Sequence, residues 1–139
     1  MKENYFYAML SRMKYINRWG LMQNTRHENL CEHSLEVAFI AHALGIINNE
    51  IYGGNIRAHY KGVLSETEEE EELWKYVKAA DKMSAYIKCL EEKKSGNMDF
   101  ADAEKTIYQA IVDMNIPEAD YFIKEYIPAY MGTLDASGE

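Results

Sequence analysis

Apolar positions along this chain recur at three- and four-residue intervals, and the strict alternation of half-buried strands is missing, so the pattern predicts an all-α fold. A first helix is expected from about Glu3 to Asn17, with Tyr5, Met9, Arg12, Met13 and Ile16 forming a stripe that mixes apolar positions with one cation, and Gly20 interrupting it. A polar loop, Gln23 to Glu28, leads into Asn29, which forms a capping-box pair with Glu32 three residues on and starts a second helix. Its expected buried face is Leu35, Ala38, Phe39, His42 and Ala43, and Gly53-Gly54 ends it as a turn. Asn55 to Leu64 is too short and too polar for a helix of its own. Ser65 with Glu68 repeats the capping signature, predicting a long helix from Glu66 to about Lys94, closed by Gly96. Its buried line is Leu73, Val77, Ala80, Ser84 and Ile87, with Asp81 and Lys88 on the flank. Two further helices are expected, Phe100 to Met114 and Pro117 to Leu134. Pro117 suits a first turn, and Pro128 should kink or end the last helix.

Composition narrows the class of protein. A chain of 139 residues with 47% hydrophobic residues describes one compact domain. Its net charge of −8 is concentrated in Glu66 and Glu68 to Glu72; without those six charges the remainder is −2. No basic stripe is available to neutralise nucleic-acid phosphates, which argues against duplex DNA or RNA as a partner. Arg12, Lys14, Arg18 and Arg26 still form a local positive cluster able to meet a small phosphorylated ligand. The best apolar run, Val37 to Ile47, is interrupted by His42, so no membrane-spanning helix is expected. The N-terminal stretch MKENYFYAML lacks the core and cleavage site of a signal peptide, making the cytoplasm the expected address. Cys31 and Cys89 have no CxxC spacing and are expected as reduced thiols.

Polar chemistry gathers where the second helix begins. His33 in its first turn, beside Glu32, reads either as a capping or core histidine or as a metal ligand. His42 reads as a core residue, and His27 and His59 as loop residues. Asp81, flanked by Ala79, Ala80 and Ser84, is costly to bury without a cation, which could be Lys78, Lys82, Lys88 or a metal ion. His33 and Asp81 together would make half of a divalent-metal site. Arg18-Trp19 presents a cation beside an aromatic plate, suited to a phosphate and a base or sugar; the alternative is a tryptophan that plugs the core. Arg26 and Glu32 are weaker candidates for substrate binding. The glutamate run reads as a solvated helix start, because adjacent carboxylates do not converge on one point.

These residues also spell a longer pattern. Leu10 to Gly45, LSRMKYINRWGLMQNTRHENLCEHSLEVAFIAHALG, closely resembles the opening of the bacterial 5′-deoxynucleotidases of the HD-domain phosphohydrolase superfamily. Val77 to Asn97 resembles that family's later metal-ligand helix, and Glu118 to Tyr130 its closing helix. The resemblance implies an HD-like bundle of about five helices, forming a single domain over residues 1–139. It implies removal of phosphate from deoxyribonucleoside 5′-monophosphates with a divalent transition metal such as cobalt or manganese. It assigns metal-ligand positions to His33 and Asp81, and substrate positions to Arg18 and Trp19. The chain departs from the family in having no His-Asp dipeptide, and the resemblance stops near Ala58 and resumes near His59. The family's central helices, with two metal ligands and the acidic residues that orient water, are therefore expected to be missing near residues 58–65. An intact chain predicts bonded Cα atoms about 3.8 Å apart there; two joined pieces of a longer protein predict a wider gap. A homodimer is expected on other grounds, because apolar faces left bare where central helices are missing call for a second copy to cover them.

Overall fold

A computed structural model describes residues 6–51 and 69–132. Its helices are α1 (Phe6–Arg12), α2 (Leu30–Ile51), α3 (Glu69–Lys94), α4 (Ala101–Asp113), α5 (Pro117–Glu125) and α6 (Ile127–Met131), with 3₁₀ turns at Met13–Tyr15 and Met98–Phe100. The all-α expectation holds, with no strand among the described residues beyond one isolated antiparallel bridge between Asn17 and Asn29. Tyr5, the Gly53-Gly54 turn, Asn55 to Leu64, His59, the Ser65-Glu68 cap, Glu66 and the Ala58-His59 junction lie outside the described residues.

The long helices α2 and α3 pack together at the centre, with α4 against α3, α5 against α2, and α6 against α3. Ile40, Leu44 and Ile47 of α2 meet Tyr76, Ala79, Ala80, Met83, Ile87 and Leu90 of α3, and Ile111, Ile116, Ala119, Phe122 and Ile127 close the core. Each large aliphatic side chain buried there contributes roughly 1.5–3 kcal/mol. A polar pin joins three helices: Glu118, only 5% exposed, accepts from Asn48 Nδ2 at 2.6 Å and Tyr76 Oη at 2.9 Å.

The helix ends follow local chemistry. At the start of α2, Asn29 Oδ1 accepts from Glu32 N at 3.0 Å and Glu32 Oε2 from Asn29 N at 3.2 Å, completing the expected capping box. α3 ends in a Schellman motif, with Gly96 at φ +83° and Asn97 N donating to Glu92 O at 2.9 Å. Pro117 occupies the first turn of α5. The predicted final helix breaks at Tyr126, ahead of Pro128, into α5 and α6.

Several expectations are corrected. The first helix stops at Arg12, because Ile16 to Arg18 instead pairs with Glu28 to Leu30: Arg18 N donates to Glu28 O and Leu30 N to Ile16 O, both at 2.8 Å. Met9 and Ile16, two apolar members of the predicted stripe, are exposed. On α2 the buried face is His33, Ile40, Leu44 and Ile47, whereas Leu35 (59% exposed), Phe39 (67%) and His42 face outward. The two stripes are two residues out of register, which at about 100° per residue puts them on nearly opposite sides. α2 is apolar nearly all round, so periodicity alone could not choose a side; the partners of His33 and Asn48 did. On α3, Val77 is exposed and Lys88 is buried. α2 is also long and apolar enough, by length and composition, to cross a membrane, contrary to the expectation that none would be. Its buried face is nevertheless taken up by α3 and α5.

Candidate functional site

The short bridge between Asn17 and Asn29 organises the site, because it sets Arg18 and Trp19 against the residues leading into α2. Trp19 takes a left-handed backbone conformation (φ +57°), which turns its side chain back toward the loop. Glu28 then clamps both residues. It accepts from Arg18 Nη1 at 3.2 Å and from Trp19 Nε1 at 3.0 Å, with its side chain only 12% exposed. The Arg18 guanidinium stands 5.8 Å from the Trp19 ring centre, and that ring packs on Phe100 at 5.4 Å.

One turn into α2, the buried His33 reaches α3 through both ring nitrogens. Nε2 is 2.8 Å from Asp81 Oδ1, and Nδ1 is 3.0 Å from Ser84 Oγ, with Glu28 Oε1 3.5 Å away. Ser84 in turn donates to Glu36 Oε2 at 2.5 Å. Burial pushes the Glu36 carboxyl above its ordinary range, and the charges of Glu91 and Glu28 add to this against the lowering by Ser84. Asp81, expected on the flank of α3, has a side chain 58% exposed and faces His33.

An open cleft of about 730 Å³ lies over this pair. Arg18, Lys78 and Lys82 supply its positive charge; Leu30, Val37, Val77, Met114 and the exposed Trp74 supply apolar wall. Arg18, His33 and Asp81 are thus brought together, while Trp19 stands behind Arg18 and does not line the cleft. Arg26 and Glu32 lie in a separate cleft on the other side of α2, paired to each other at 3.3 Å. His27 is an exposed loop residue.

The loop carrying Glu28 is held by a buried charge cluster that sequence reasoning missed. Glu92, 1% exposed, accepts from Thr25 N (2.9 Å), Thr25 Oγ1 (2.7 Å), Arg26 N (3.3 Å), Asn97 Nδ2 (2.7 Å) and Lys88 Nζ. Lys88 also donates to Arg26 O at 2.5 Å. Only the i,i+4 spacing of Lys88 and Glu92 hinted at the pair, and such spacing is common on solvated faces. Ser84 stood in the predicted buried line of the long helix, but nothing in the sequence marked it, Glu28 or Glu36 as a partner of His33.

Similarity to known proteins gives the family. A family model described as 5′-deoxynucleotidase YfbR-like matches the chain in two stretches, residues 5–59 and 54–130. This chain belongs to the YfbR-like 5′-deoxynucleotidase family. It is 33% identical to a 5′-deoxynucleotidase of Vibrio vulnificus over 191 residues, covering 97% of this chain and 98% of the relative. It is 31% identical to one of Photorhabdus laumondii and 32% to one of Yersinia pestis, each over 188 residues and 95% of both chains. The first of these alignments is longer than the 139 residues of this chain, so at least 52 of its positions (191 less 139) have no counterpart here.

Enzymes of this HD-superfamily type are metal-dependent phosphohydrolases, so the donor set bears on the site's chemistry. His33 Nε2 and Asp81 Oδ1 stand 2.8 Å apart, close to the roughly 3 Å between adjacent ligands on an ion with bonds of about 2.1 Å. That spacing is compatible with two donors to one divalent ion. Among the described residues, no group of three or more metal-binding side chains converges.

Proposed function

We propose that this chain binds a deoxyribonucleoside 5′-monophosphate in the cleft over α2 and α3 and hydrolyses its phosphate monoester. The observation that carries the reading is the convergence of three cations, Arg18, Lys78 and Lys82, on the His33–Asp81 pair in one open cleft. The guanidinium of Arg18, held from behind by Glu28, is poised to take two phosphate oxygens, and the two lysines neutralise the remaining charge. The apolar wall with Trp74 offers the nucleoside a dry face. Trp19 acts through Arg18, as a plug that stops the guanidinium from swinging away. His33 and Asp81 are two ligands of a divalent transition ion, with cobalt or manganese as the candidates. Such an ion, when bound, polarises a phosphoryl oxygen and lowers the pKa of a bound water. Arg26 and Glu32, on the other side of α2, take no direct part.

The two-stretch family match and the longer relatives support an internal deletion within one HD-like domain, near residues 58–65. The outward stripe of α2, Leu35, Phe39 and Ile46, supports a homodimer in which a second copy covers it. The cytosol is the proposed compartment, consistent with the two free cysteines.

The test is phosphate release from deoxyadenosine monophosphate with added cobalt or manganese, beside an intact-mass measurement on the same sample. Turnover at the mass of this chain, lost in His33→Ala, is the expected result. A nucleotide-dependent rise in melting temperature without turnover would instead identify a binding remnant that has lost catalysis. Neither turnover nor a rise would overturn both readings.

A further inference from the structure

The chain has two tryptophans, and the structure gives them different surroundings. Trp19 is fully engaged: its Nε1 donates to Glu28 at 3.0 Å, its ring packs on Phe100, and it does not line the cleft. Trp74 does line the cleft and is 56% exposed. Among the described residues its indole meets no other ring, cation or hydrogen-bond partner. We infer that Trp74 is the platform on which the nucleobase stacks, so that the cleft grips the base by its face and prefers purines to pyrimidines. This deepens the proposed function and rests on the cleft being a nucleotide site.

On α3, Trp74, Lys78, Asp81 and Lys82 stand at intervals that keep them on one face of the helix. At 1.5 Å per residue, Lys78 lies about 6 Å and Asp81 about 10 Å along the axis from Trp74. The charges of α3 that line the cleft thus sit one to two turns from the indole. A nucleoside monophosphate is built in the same order, with an anionic phosphate, a sugar and then a flat base whose faces are poorly hydrated. The neighbouring side chains decide how that base is held. Leu30, Val37, Val77 and Met114 offer no side-chain hydrogen bonds. Ser34, the one hydroxyl among the described lining residues, already donates to Leu30 O at 2.7 Å. Groups able to read the edge of a base are therefore scarce, and stacking is left as the contact that discriminates. Stacking strengthens with overlapping ring area, which is larger for a purine.

The test is equilibrium binding to the full chain with no metal added, so that nothing is hydrolysed. The ligands are deoxyadenosine monophosphate, deoxycytidine monophosphate and deoxyribose 5-phosphate, the last carrying phosphate and sugar without a base. The wild type should bind the three with affinity falling in that order. Trp74→Ala, at an exposed position outside the core, should weaken deoxyadenosine monophosphate about tenfold and leave deoxyribose 5-phosphate unchanged, while Trp74→Phe keeps most of the affinity. Indole fluorescence should be quenched by the two base-bearing ligands but not by deoxyribose 5-phosphate, and that quench should be lost in Trp74→Ala. A wild type that binds the purine no better than the pyrimidine overturns the inference. So does a Trp74→Ala variant that binds deoxyadenosine monophosphate as the wild type does, or that weakens all three ligands equally. A change of oligomeric state in Trp74→Ala with unchanged affinity, read by sedimentation velocity, also overturns it and makes the indole a contact between copies. If deoxyribose 5-phosphate binds neither without metal nor with added manganese, the nucleotide reading fails and takes this inference with it. If it binds and Trp74→Ala changes nothing, the inference alone falls.

Discussion

Replacing Glu92 with alanine should be among the most destabilising single changes in this protein, and the structure gives the size. The carboxylate is 1% exposed and receives donors from Thr25, Arg26, Asn97 and Lys88. Truncation strands the ammonium of Lys88, itself 5% exposed, without its carboxylate partner. Breaking a buried pair in this way costs about 3–5 kcal/mol. The backbone N–H groups of Thr25 and Arg26 lose their acceptor too, at ~1 kcal/mol or more each unless water reaches them. A total loss of ~5 kcal/mol or more, a large share of a typical domain's stability, would show as a lowered midpoint in urea titration followed by circular dichroism. The pH dependence provides a second signature. Burial opposes the charge on Glu92, but the hydrogen bonds from Lys88 and Thr25 outweigh it and hold the carboxyl well below its ordinary value of 4.5. A depressed folded pKa stabilises above the unfolded value and loses that contribution as pH falls. As pH falls below about 4.5 the wild type should therefore lose stability through this group, and Glu92→Ala should not show that part of the slope. A variant destabilised by less than about 1 kcal/mol at pH 7, or one with the wild-type acid slope, would refute the cluster as the anchor of the Gln23 to Glu28 loop.

Other outcomes follow from the same geometry. Asn29→Ala removes one half of the capping box and should cost about 0.5–2 kcal/mol in the same titration. Glu28→Ala unclamps Arg18 and Trp19 while leaving the cleft open, so the nucleotide-dependent rise in melting temperature should shrink; an unchanged rise would remove Glu28 from the site. Burial, helped by the charge of Glu104, pushes the Cys89 thiol up to about 11, while Cys31 is exposed. A thiol reagent at pH 8 should thus modify one cysteine rapidly and the second only on unfolding, as read by mass spectrometry. Gly96→Ala places a Cβ at φ +83° and should cost about 1 kcal/mol, although nothing stands near enough to clash.

Features coded by neighbours in the chain were legible without coordinates. The spacing of apolar residues predicts the helices, the Asn29-Glu32 pair predicts where α2 starts, Lys94 and Gly96 mark where α3 stops, Pro117 marks the start of α5, and Pro128 marks the break between α5 and α6. Each depends on interactions within about one helical turn, which residue order carries directly. The chemical identity of His33, Asp81 and Arg18 was visible for the same reason. Which side of α2 faces inward was not visible, because Leu35 and Phe39 are as apolar as Ile40 and Leu44. The choice is made across space, by Ser84, Asp81 and Glu118 on other helices. Nor could residue order reveal that Glu28 joins Arg18 to Trp19, that Glu36 stands behind Ser84, or that Glu92 holds a loop 67 positions away in the chain. Buried polar groups must find partners wherever the packing puts them, so tertiary structure alone decided how the candidate site is wired.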